Sequence, residues 1–222
     1  MEFSIIPTLL ADKQFLEFLR LGVVYTHLIA CCVAIGSVLT SDVAMVRQLF
    51  KAERCSEKDA HDLVGLQKTV SWSLWLLWVT GAAIIGTDLI DKGLVYFENP
   101  KLQAKIAVVV LLTLNGFVLH SAVLPAVQRV GSLLDLSLGM RTLAVFSGAF
   151  SGVSWFYAVM LGVGRPLAWK YSLIELMAVY PVLIVAGFTS MMLLTQWSKK
   201  TLQAREQAHG QDWSAASSHA TS

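Results

Sequence analysis

Charge is scarce in this chain of 222 residues. Asp, Glu, Lys and Arg make up 14% of it, against about 25% in an average soluble domain. That shortage argues against an ordinary soluble enzyme and against a disordered or coiled-coil chain. Net charge is only +2, and there is no dense basic patch of the kind nucleic-acid binding needs. Cysteine is scarce too: Cys31, Cys32 and Cys55 form no paired framework, and they read as free thiols acting as small apolar residues. A phosphate loop, a dinucleotide glycine fingerprint, a nucleophile elbow and a zinc signature are all missing. The start of the chain lacks the basic region of a cleavable signal peptide; it carries Glu2, Asp12 and Glu17 there instead. The first long apolar segment therefore reads as an uncleaved anchor.

What the chain has in quantity is apolar sequence, 55% of residues with a mean hydropathy of +0.62. A helix needs about 20 mostly apolar residues to cross a bilayer. Five segments meet that length: 18–41, 70–90, 104–124, 142–163 and 173–197. Backbone groups inside lipid must be satisfied within the segment, so these are helices. The fold class predicted is all-α, a polytopic transmembrane bundle of five spans forming one unit over residues 1–197. Residues 42–69 form a helical connection, with a capping-box-like start at Ser56 to Asp59. The polar tail, 198–222, reads as a frayed helix end followed by disorder.

Lys and Arg counts orient the chain. Ten of the 17 lie on the side holding residues 42–69, the third loop and the tail, and seven on the other. This bias puts the N-terminus outside and the C-terminus in the cytoplasm, in a bacterial-type inner membrane.

Ionisable residues inside spans cost about 2.5–3.5 kcal/mol or more at the centre. His27 in the first span and His120 in the third are the two histidines placed there. Each lies on a face of small or polar residues: Cys31 and Ala34 beside His27, Thr113 and Gly116 beside His120. Two histidines on different helices can ligate a haem iron, although these two are offset in depth by roughly 13 Å. The plainer reading is that both hydrogen-bond across helices. Asp42, Asp88, Lys105 and Glu175 lie near span ends; they read as interfacial charges or as a proton or ion path. Asp88 and Lys105 flank one loop and could pair, and Asp42 should lie near Arg47. Trp72, Trp75 and Trp78 suit an aromatic belt. Ser147, Ser151, Ser154 and Ala158, with Gly148 and Gly152, form a close-packing face. Asn115 should hydrogen-bond between helices, and Tyr180-Pro181 should kink the fifth span.

His27, nine residues before Gly36, followed by Lys105 and His120, resembles the first three spans of the small helical membrane proteins of the HemJ-type protoporphyrinogen oxidase and CopD-like family. His27 matches that family's first-span histidine and Lys105 its third-span lysine. The family's His-x-Lys is Gln103-Ala104-Lys105 here, and His120 lies about one turn past the family's downstream histidine. The resemblance implies a compact helix bundle and, in the HemJ group, a bound b-type haem.

Three functions follow as expectations. The first is a haem b protein with His27, His120 or both on the iron, serving electron transfer to a membrane redox partner or quinone, or a haem-linked oxidation. The second is a small-solute, proton or metal-ion transporter or channel subunit using Asp42, Asp88, Lys105 and Glu175. The third is a non-catalytic subunit of a homo-oligomer or larger membrane complex.

Overall fold

The computed structural model describes residues 13–51, 57–130, 133–167 and 169–220. Every long element in them is helical. Helix α1 runs Lys13–Lys51 and α2 runs Glu57–Lys92. A 3-10 turn, Leu94–Glu98, leads into α3, Pro100–Val118. A π-helical turn, Leu119–Val123, joins α3 to α4, Leu124–Val130. Helix α5 is Leu138–Val163 and α6 is Leu173–Ala220. Five of the resulting rods are long and apolar enough to cross a membrane, α3 and α4 counting as one. Within their most apolar windows only 17–33% of residues are buried. Phe18, Tyr25, Phe117 and Val182 are among the apolar side chains that face outward. An aqueous protein would hide that surface; a lipid-facing one presents it.

Local chemistry sets the ends. Gly93 takes a positive φ of 68°, and its N–H bonds the Leu89 carbonyl at 2.9 Å, closing α2. Asn99 caps α3 by accepting from the Lys101 N–H at 3.0 Å, and Pro100 opens the first turn. Pro125 cannot donate to the carbonyl four residues back. The widened turn just before it, where Leu124 N–H bonds the Leu119 carbonyl, absorbs that gap.

Packing divides the bundle into α1, α3, α5 and α6, which share the buried core, and α2, which lies against α1. Ala104, Val108, Tyr157, Leu161, Leu176, Tyr180 and Ile184 form one buried cluster. Ala34, Leu112 and Trp155 form a second, with Val70, Leu74 and Leu77 of α2 packed on it.

The expected continuation of the first span past the membrane is present, to Lys51, and a new helix starting at Glu57 runs straight into the second span. Ser56 and Cys55 lie outside the described residues. The tail differs from the disorder expected: the α6 helix continues through it to Ala220. Lys, Gln, Ala, Arg and Glu after residue 197 are good helix formers, and the fifth span supplies a ready nucleus.

Candidate functional site

His27 faces α2. Its Nδ1 lies 2.8 Å from Thr80 Oγ1, and a Cβ on Gly81 would stand 3.7 Å from its Cε1. The Thr80 hydroxyl also lies 2.6 Å from the Leu76 carbonyl. A carbonyl only accepts, so the single hydroxyl proton goes there. The ring must then supply the other bond, Nδ1–H donating to Oγ1. In that arrangement Nε2 has no hydrogen-bond partner among the described residues.

Lys105 of α3 is half-buried, and its ammonium acts electrostatically on both His27 and Cys31. It makes no hydrogen bond or ion pair among the described residues. Thr80 also lines a groove of about 380 Å³ with Phe18, Leu19, Gly22, Val23 and Thr26. The site is thus an imidazole with one nitrogen unpartnered among the described residues, a lysine whose charge acts on it, and small residues on both supporting helices.

His120 is built differently. Gln67 Nε2 donates to its Nδ1 at 3.0 Å. Its Nε2 lies 3.0 Å from Ser71 Oγ, whose own proton goes to the Gln67 carbonyl at 3.0 Å. The ring therefore donates from Nε2 and accepts at Nδ1, and neither nitrogen is left over. The π turn that carries His120 offsets it from the register of α3.

The structure does not bring the two histidines together. Thr80 stands nine residues beyond Ser71 and thirteen beyond Gln67 on α2, so the rings are roughly 13–20 Å apart along that helix. Ligation of one iron by both is excluded by that spacing. As a test of fit to haem, His27 offers what an iron ligand needs: a ring whose far nitrogen has no partner among the described residues and whose near nitrogen is held by Thr80. His120 fits only if it gives up one of two bonds.

The four charged candidates are scattered. Asp88 does not pair with Lys105. It is 4% exposed and bonds Arg20 at 3.0 Å and Lys92 at 3.3 Å. Arg20 reaches it because α1 and α2 pack together there. Tyr96, in the loop, completes this cluster: burial, then its hydrogen bond to Asp88, push the phenol up to about 12. Lys92 lies 4.8 Å over the Tyr96 ring. Glu175 closes the start of its own helix. Its carboxylate accepts from Ser172 N–H at 2.8 Å while its own N–H donates to Ser172 Oγ at 3.3 Å, a capping box that starts α6. Asp42 makes no ion pair with Arg47, five residues on and round the helix. Its Oδ2 stands 3.2 Å from the Cβ position of Gly152 on α5, half-buried and without a hydrogen bond among the described residues.

The small face of α5 is a packing surface. Gly148 and Gly152 meet Met45 and Asp42 of α1. Ser147 Oγ donates to Asn115 Oδ1 at 2.7 Å, and Asn115 Nδ2 donates to the Ser147 carbonyl at 2.9 Å. Ser154 Oγ and Tyr180 Oη lie 2.8 Å apart, and Tyr157 donates to the Leu176 carbonyl in the turn before Pro181. Trp72 and Trp75 are exposed and in edge contact, while Trp78 Nε1 donates to Thr113 at 3.1 Å.

Thr80, Gln67 and Ser71 escaped the sequence reading. Their only signal was polarity on a span of otherwise apolar residues. Among the described residues no three His, Cys, Asp or Glu side chains gather as a metal site. Comparison with family models, curated proteins and solved structures finds no match.

Proposed function

We propose that this membrane protein holds a b-type haem through Nε2 of His27 and serves one-electron transfer. The observation that carries the proposal is the His27–Thr80 contact: Thr80 Oγ1 accepts from Nδ1–H and the opposite nitrogen has no partner among the described residues. An unused imidazole nitrogen in a membrane is costly unless something meets it. The half-buried Lys105 exerts a positive field on His27 that would suit the acidic edge of such a group, and the resemblance names the same His27 and Lys105. Bound haem would supply a reversible one-electron couple, tuned by the axial ligand and the low dielectric. The chain's own residues hold the ring, fix its tautomer and keep a positive charge beside it. In this reading the N-terminus faces outside, and His120 is structural.

The test is the reduced-minus-oxidised visible spectrum of the purified protein, expressed with adequate haem supply. Soret and α bands are expected, lost in His27→Ala. A flat spectrum from the unmutated protein overturns the proposal.

A second reading, proton or ion transport, is favoured by one observation, the unpaired Asp42 carboxylate against Gly152. It predicts that Asp42→Asn abolishes flux in proteoliposomes; undiminished flux would end it.

A further inference from the structure

Arg141 lies in the first turn of α5, only 7% exposed, and its Nε and Nη1 find no hydrogen-bond partner among the described residues. A guanidinium cannot shed its proton to escape this position. The nearby cluster of Val123, Leu136 and Ala144 is apolar and provides no side-chain acceptor. A buried charge with unmet donors is among the costliest arrangements a fold can hold, so an acceptor from outside these residues is required.

The helix start itself points to the same ligand. Ser137 occupies the N-cap position but makes no side-chain cap, and no acidic residue lies in the first turn. The first N–H groups of a helix have no partner within it, and the helix dipole puts partial positive charge there. Helical side chains lean toward the N-terminus, which carries the Arg141 guanidinium over this turn. Two independent features, a buried guanidinium with two donors unmet among the described residues and a helix start without a side-chain cap, thus suit one anion.

We propose that the start of α5 is an oxyanion site that takes a phosphate group, bound by the Arg141 guanidinium and the first-turn N–H groups. It lies at the end of an apolar span, with Leu138 and Val130 exposed on either side of the connection. That setting suits the phosphate of an anionic phospholipid, whose chains would run along those residues. Free phosphate offers the same oxygens without the chains.

The experiment measures the thermal-unfolding midpoint of the full-length protein in mild detergent. Three additives are compared: phosphatidylglycerol, diacylglycerol of the same chain length, and inorganic phosphate. Phosphatidylglycerol is expected to raise the midpoint by about 5 °C at saturation, with no rise from diacylglycerol. A matching rise with inorganic phosphate identifies free phosphate as a sufficient ligand; its absence identifies the lipid. The rise should vanish in Arg141→Gln and persist in Arg129→Gln, an exposed arginine at the same end. If Arg141→Gln does not fold, Arg141→Lys replaces it, with the rise cut by at least half. No rise in the unmutated protein, an equal rise with diacylglycerol, or an undiminished rise in the folded Arg141 variant overturns the site.

Discussion

His27 and His120 are both imidazoles held by α2, and they differ in what is left over. His27 makes one bond and keeps a nitrogen free; His120 makes two and keeps none. Their positions in apolar spans are similar, so hydropathy treats them alike. The difference comes from the groups opposite. Thr80 has already committed its proton to a backbone carbonyl, so it can only accept. Gln67 and Ser71 together bring an amide donor to one side of the His120 ring and an acceptor oxygen to the other. A histidine in a span is therefore a candidate ligand or a structural link according to how many of its two nitrogens its neighbours use.

The sharpest way to break this contrast is to remove each ring in turn. His27→Ala should abolish haem absorbance, and His120→Ala should leave it within about a factor of two per mole of folded protein. Equal loss in both would erase the distinction. Next in size, Thr80→Val removes the acceptor that holds the ring while keeping its shape. Haem affinity should fall about 10–100-fold, measured by titration of the haem-free protein, and Thr80→Ser should restore most of it. A third test works on the other histidine. Ser71→Ala should cost about 0.5–1.5 kcal/mol of stability, the net worth of a hydrogen bond, and leave the spectrum unchanged. An altered spectrum would mean that His120 is not merely structural. The smallest effect is expected at Gly81. An alanine there would meet His27 Cε1 at 3.7 Å, ordinary contact, so Gly81→Ala should change stability by less than about 1 kcal/mol and leave the bands in place.

The spans were legible because lipid imposes one rule, a long apolar run, that needs no knowledge of neighbours. The continuation of α1 to Lys51 and the new start at Glu57 were legible from local helix chemistry. The partners were not. Thr80 meets His27 only because α2 is rotated and shifted to one register against α1. In helices apolar on every side, sequence periodicity barely marks that rotation. The same ignorance of register made Lys105 look like the partner of Asp88, when Arg20 of another helix takes that place. Glu175 is a different case. Ser172 and Glu175 are spaced as a capping box, a local signal that the sequence reading passed over. Arg141 was counted among loop charges; its burial depends on how the connection before α5 folds back on α4 and the π turn.

The central claim is the protonation pattern of two rings, and nitrogen-15 NMR of histidine-labelled, haem-free full-length protein reads it directly. His27 should show a protonated Nδ1 and a bare Nε2, and His120 the reverse, with both assignments made from the single-histidine variants. A His27 carrying its proton on Nε2, or on both nitrogens at neutral pH, would contradict the account.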